Sequence, residues 1–219
     1  MGFSIYTSLH YKLPRESILE FYRIELLKSR QDYKIHEVIP HLIPGKVIML
    51  YEPVNNWTMI KFQDPVSFKK HHEISLNISK MYGSTLLFIW AYDGDYWAYE
   101  LFRSGQPEDQ FCLDPRAAIE LSGWDIPQKG WKGNPAILAN HLTGISAESI
   151  NPYLVQRPDV ADYQDTQLHI KDLNRLDVKV NPGDKYTRFD EMAVLNFFAI
   201  LGISLQDKSE MNVCKVIEI

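Results

Sequence analysis

Leu86-Leu87-Phe88-Ile89-Trp90-Ala91-Tyr92, running into Asp93-Gly94-Asp95, is the stretch on which the fold turns. Its unbroken apolar and aromatic run is far shorter than a membrane span and rich in strand formers, so it reads as a central β-strand. A central strand needs neighbours, and the flanking sequence supplies them. Asp-Gly is hairpin-turn chemistry. Tyr96–Arg103 then alternates aromatic and polar residues, and Ser104-Gly105 turns the chain into Gln106–Leu113.

Upstream, a helix beginning at Pro65 or Ser67 and reaching about Tyr82 is expected, with Phe68, Ile74, Ile78 and Met81 inward and Gly83 as its stop. Val47–Tyr51 and Trp57–Phe62 flank the turn residues Pro53–Asn56 and read as a hairpin. Pro14 opens an earlier helix whose broad apolar face carries Ile18, Leu19, Phe21, Tyr22, Leu26 and Leu27. Phe3–Tyr11 alternates as a half-buried strand does. The connection holding His36, Pro40, His41 and Pro44-Gly45 reads as a loop. The resulting order is strand, helix, strand, strand, helix, strand. It predicts an α+β fold: a ferredoxin-like βαββαβ antiparallel sheet, two helices on one face, extended by the 96–113 hairpin.

Beyond Asp114-Pro115 the pattern changes. Short helices are expected at Arg116–Leu121, Pro135–Leu142 and Ala147–Val155, with Asn134-Pro135 as a cap followed by proline at the first helical position. Residues 156–186 are polar and weakly periodic, which predicts a long surface loop. Phe189–Leu201, apolar on nearly every side and closed by Gly202, predicts a buried helix, and Val213–Ile219 a last strand. The domain reading is a sheet domain over 1–115 and a mostly helical extension over 116–219, packed as one compact unit.

Composition narrows the classes. At 219 residues, 45% hydrophobic and 23% charged, the chain is ordinary globular material. It holds no run of eighteen apolar residues and its first residues lack the pattern of a signal peptide, so the expectation is a cytoplasmic protein with no membrane partner. Cys112 and Cys214 stand in no metal-like spacing and are expected as thiols. The net charge of −5 is uneven: residues 93–125 hold two basic and eight acidic side chains. That excludes a phosphate-neutralising surface, hence no nucleic acid, and suits a basic protein partner. The same run also suits a solvated hairpin surface.

No cofactor motif and no catalytic set stands out. The chain has no Gly-x-Ser-x-Gly elbow, no phosphate loop and no dinucleotide fingerprint. Asp93 and Asp95 flank a glycine as ligands of a hard cation would, but the spacing is that of a turn and no further ligands follow. His71 and His72 are adjacent on a helix and point about 100° apart, so they do not share a metal; all seven histidines read as surface or hydrogen-bonded. No catalytic or metal residue is assigned. Partner-binding residues are expected on the acidic, aromatic hairpin: Asp93, Asp95, Trp97, Glu100, Glu108 and Asp109. The functional expectation is a protein-binding module, in one version an immunity-type inhibitor of a basic toxin domain. The alternative is an enzyme or small-ligand sensor with a pocket between the sheet and the C-terminal helices.

The stretch Tyr92-Asp93-Gly94-Asp95, then Tyr99-Glu100-Leu101-Phe102-Arg103-Ser104-Gly105 and Phe111-Cys112-Leu113-Asp114-Pro115, resembles a group of uncharacterised bacterial proteins. Trp131-Lys132-Gly133-Asn134-Pro135-Ala136-Ile137-Leu138 and Phe189-Asp190-Glu191-Met192 resemble them too, and together these motifs span about half the chain. They are turns and caps, and the resemblance implies no activity, cofactor or catalytic residue.

Overall fold

Strand β1 (Ile5–Tyr11) buries Ile5, Thr7, Ser8, Leu9 and His10, so both of its faces are covered rather than one. The computed structural model describes residues 5–29, 34–36, 47–63, 68–92, 96–122, 130–142, 144–157, 178–190, 192–203 and 213–218. After β1 come α1 (Arg15–Ser29), β2 (Lys34–His36), β3 (Val47–Tyr51), β4 (Trp57–Gln63), α2 (Phe68–Tyr82), β5 (Thr85–Tyr92), β6 (Tyr96–Arg103) and β7 (Gln106–Cys112). Helices α3 (Pro115–Ser122), α4 (Pro135–Ala139) and α5 (Ala147–Ile150) follow, the last running into a 3-10 turn at Asn151–Tyr153. Helix α6 (Ala193–Ile200) and β8 (Val213–Glu218) complete the described elements.

The fold is α+β, with a sheet in the order β2-β8-β3-β4-β1-β5-β6-β7. Pairs β1–β4, β3–β4, β3–β8 and β2–β8 are antiparallel, with Ser8 opposite Ile60 and His10 opposite Thr58. Two features depart from the expected sheet. Lys34–His36 is a strand, not loop, and β8 inserts between it and β3. Three residues without alternation offer no periodic signal, so β2 is defined by its partner.

Contacts divide the chain into two compact units, one of Ile5–Trp90, Glu100–Glu108 and Gly202–Ile219, the other of Met1–Ser4, Ala91–Tyr99 and Asp109–Leu201. In the first unit, Ile18, Leu19, Phe21 and Tyr22 of α1 pack with Ile48 and Leu50 of β3, Ile60 of β4 and Ile78 of α2. Helix α2 turns Ile78 into the core, Ile74 against it and Phe68 onto Phe88 and Trp90 as expected, but not Met81, and polar residues share its buried face. His71, Ser75, Ile78 and Ser79 face inward, and Met81 is 50% exposed. The close-packed face takes small and polar side chains, which hydropathy reading places outside.

The β6–β7 turn is anchored on the same helix. Ser104 and Gly105 both have positive φ, 51° and 76°, the backbone of a two-residue hairpin turn. Ser104 N donates to Ser84 O, Gly105 N to Ser79 Oγ, and Ser79 Oγ to Ser84 O. A Cβ on Gly105 would come within 2.9 Å of Lys80 Cβ.

In the second unit, α6 is the buried helix its composition predicts, with Val194, Phe197 and Phe198 fully enclosed. Phe197 lies 5.1 Å from the Trp97 ring and stacks on Tyr99 at 5.9 Å. Asn134 caps α4 as expected, its Oδ1 accepting from Ala136 N and Ile137 N. β7 ends the strand order. Outside it, Cys112 N donates to Trp131 O and Gly133 N to Gln110 O, so residues 131–133 cover its second half. Its first half carries exposed Gln106 and Pro107, and a proline there removes a ladder donor. Of the expected 156–186 loop, 158–177 lie outside the described residues, as do His41, Trp124 and His169.

Candidate functional site

The described acids of the 93–125 segment are largely engaged internally. Asp93, Asp95 and Asp125 lie outside the described residues. Glu108 pairs with Arg103 at 3.0 Å, and Asp114 takes Ala117 N at 3.0 Å and lies 3.5 Å from Arg157. Asp109 accepts from Tyr99 Oη at 2.6 Å and from Asn134 N at 2.9 Å. Burial pushes the Asp109 carboxyl above its ordinary range, against the opposing pull of the Tyr99 hydroxyl and the N–H groups of Asn134 and Gln110. Burial likewise drives Tyr99 well upward, helped by the Asp109 charge beside it. Gly133 is required at this junction: its φ is +70°, and a Cβ would meet Tyr99 Oη and Leu154 Cδ1 at 2.9 Å. Glu120 alone of the described acids in this run is exposed, the others being half-buried.

Trp97, expected on a partner surface, is 1% exposed and packed on Phe111 at 4.9 Å. That expectation is corrected: β6 is covered on both faces, burying Trp97 and Tyr99 on one and Tyr96 and Phe102 on the other, and a tryptophan held in a core meets no partner. Trp90 and Trp131 are buried too. Cys112 is a free, buried thiol that burial holds up at about 12, so it is not a nucleophile at neutral pH.

Glu100 is different. In the first unit it meets His72 of α2, Nε2 to Oε2, at 2.7 Å, with the two side chains 13% and 17% exposed. α2 supplies the imidazole one turn after Phe68, and β6 supplies the carboxylate from the face it turns to that helix. The walls are aromatic. Phe68 stacks on His72 at 6.3 Å, Phe88 meets it edge-on at 5.3 Å and Phe102 at 5.6 Å. Phe68 also meets Trp90 at 5.0 Å and Tyr6 at 5.7 Å. Neighbouring His71 is buried on the adjoining side of the helix, its ring 6.4 Å from Tyr6.

An imidazole beside a carboxylate brings donor and acceptor atoms to one point, and aromatic surroundings strengthen the polar interactions made there. Sequence reading places Glu100 among five acids of the hairpin. It does not give His72 as its partner, because the two meet only when α2 lies over β6. Among the described residues no group of three His, Cys, Asp or Glu side chains is placed to hold a metal ion, and no helix is long and apolar enough to cross a membrane. No protein-family model matches the chain, and no curated protein or solved structure is significantly similar to it.

Proposed function

We propose that the chain is a small-ligand-binding protein whose site is the His72–Glu100 pair under α2. The observation that supports this reading most is the pair itself: an acid and a base 2.7 Å apart, each less than one-fifth exposed, walled by Phe68, Phe88 and Phe102. Ligand sites combine a mainly apolar lining with a few convergent polar groups, and this junction has both. The ligand class that suits it has a flat apolar body and one hydrogen-bonding edge, the body against the phenylalanines and the edge read by the imidazole and carboxylate. The site differs from the expected pocket beside the C-terminal helices.

The test is a thermal-shift screen of planar heteroaromatic carboxylates, amides and amines against the wild type, His72→Ala, Glu100→Gln and the surface control Glu120→Gln. Compounds that raise the melting temperature of the wild type and the control, and lose that effect in both site variants, support the reading. Compounds that act equally on all four proteins, or no active compound at all, count against it.

A second reading is a cytoplasmic protein-binding module with a basic protein partner, in its immunity-type version a toxin inhibitor. Exposed Glu120 and the one-quarter exposure of the Glu108 side chain favour it. A charge-reversed Glu108→Lys, Glu120→Lys chain that captures the same proteins from lysate as the wild type would remove it. For the fold, we infer a ferredoxin-like block in β3-β4-β1-β5, with α1 and α2 in the connections, extended by β6–β7 on one side and by β8 and β2 on the other. The antiparallel β1–β4 and β3–β4 pairs support that reading. Such blocks host many unrelated functions, so the functional argument rests on the site.

A further inference from the structure

Among the described residues of the first unit, buried polar atoms that meet no hydrogen-bond partner include Ser8 Oγ and both ring nitrogens of His10 on β1, Tyr22 Oη on α1, and Ser75 Oγ on α2. All are buried, Ser8, His10 and Ser75 at 0% and Tyr22 at 2% exposure. Their placement is shared. Ser8 and His10, two residues apart, lie on one side of β1. The register sets Ser8 opposite Ile60, and Ile60 belongs to the core that Tyr22 enters from α1 and Ile78 from α2. Ser75 precedes Ile78 by three residues and so shares its helix face. Three elements therefore turn polar atoms into one apolar layer, between the helices and the sheet.

An orphaned buried hydroxyl or ring nitrogen destabilises the fold, because it has given up water without gaining a partner. Native interiors relieve this by binding water, which satisfies about two to four such groups at once. The chemistry here suits water on both sides. A neutral imidazole offers one N–H and one lone pair, and each hydroxyl can donate and accept. Thr58, opposite His10, already directs its hydroxyl proton to Leu13 O at 2.6 Å, which leaves His10 without that donor.

We propose that the helix-covered face of β1 is an internal water-binding site, with ordered water bridging Ser8, His10, Tyr22 and Ser75. The proposal does not depend on the role of the His72–Glu100 pair. Bridging water ties α1 and α2 to the same strand, so the layer between them is joined by hydrogen bonds as well as apolar contact.

Water-oxygen magnetic relaxation dispersion on the full chain detects water held inside a protein for longer than tumbling. The wild type is compared with Ser75→Ala and with the double variant Ser8→Ala, His10→Leu. The expected result is loss of at least one long-lived water in the double variant and a smaller dispersion amplitude in Ser75→Ala. Equal amplitudes in all three proteins would overturn the proposal. Should the double variant fail to fold, the wild type decides: cross-relaxation between water and the His10 ring protons supports the site, and its absence overturns it.

Discussion

Lowering the pH from 7 to 5 should cost this protein stability through His10. Burial holds its imidazole down at about 3, against an ordinary value of 6.5 in the unfolded chain. The native state therefore binds the proton more weakly than the unfolded state does. Stability from this residue is complete above about pH 6.5 and declines as the pH falls toward 3. One pKa unit corresponds to about 1.4 kcal/mol, so the loss is about 2 kcal/mol at pH 5 and approaches about 5 kcal/mol near pH 3. For a domain stable by roughly 5–15 kcal/mol the first figure is already large. The assay is urea unfolding at pH 7 and pH 5, followed by tryptophan fluorescence, for the wild type and His10→Leu. The leucine chain keeps every other titrating group, so the difference between the two pH slopes isolates His10. Wild type should lose about 2 kcal/mol more than the variant across this interval. Equal losses would refute the argument, because they would mean that the buried ring is as easily protonated as an exposed one.

Other consequences are open to the same unfolding measurement. Gly133→Ala should destabilise by more than the roughly 1–2 kcal/mol of a left-handed alanine, since its methyl also meets Tyr99 and Leu154. Tyr99→Phe removes a donor from the partly buried Asp109 and should cost about 1–3 kcal/mol, with much of the loss recovered by adding Asp109→Asn. Asn134→Ala uncaps α4 and should cost about 1 kcal/mol; no change would show that the cap is dispensable. Gly105→Ala strains the β6–β7 turn against Lys80 and should lower the unfolding midpoint, whereas the same change at Gly144, which has open space around it, should show only the backbone effect.

Much of the architecture was legible from sequence because its signals are local. The seven apolar residues before Asp93 gave β5, Ser104-Gly105 gave the turn of the hairpin, and Asn134-Pro135 gave the start of α4. Failures came where tertiary contact decides. Helix α2 turns the small Ser75 and Ser79 inward, and Ser79 holds the hairpin turn, and no hydropathy stripe records that. The acid-rich segment looked like surface, yet Glu108, Asp109 and Asp114 find Arg103, Tyr99 and Arg157 once the chain is folded. The charge of Glu100 suggests a basic partner, and the structure sets it against a histidine from α2 that no local signal connects to it. The burial of Trp97 follows from the covering of β6 on both faces, which its aromatic-polar pattern does not reveal.

The terminal strand β7 has one further effect, on how the protein tolerates crowding. Half of its outer rim is occupied by residues 131–133 of the same chain, and Pro107 interrupts the rest. A second molecule arriving there finds no continuous row of amides and carbonyls to copy, so strand-by-strand growth of fibrils from that rim is blocked at its first step.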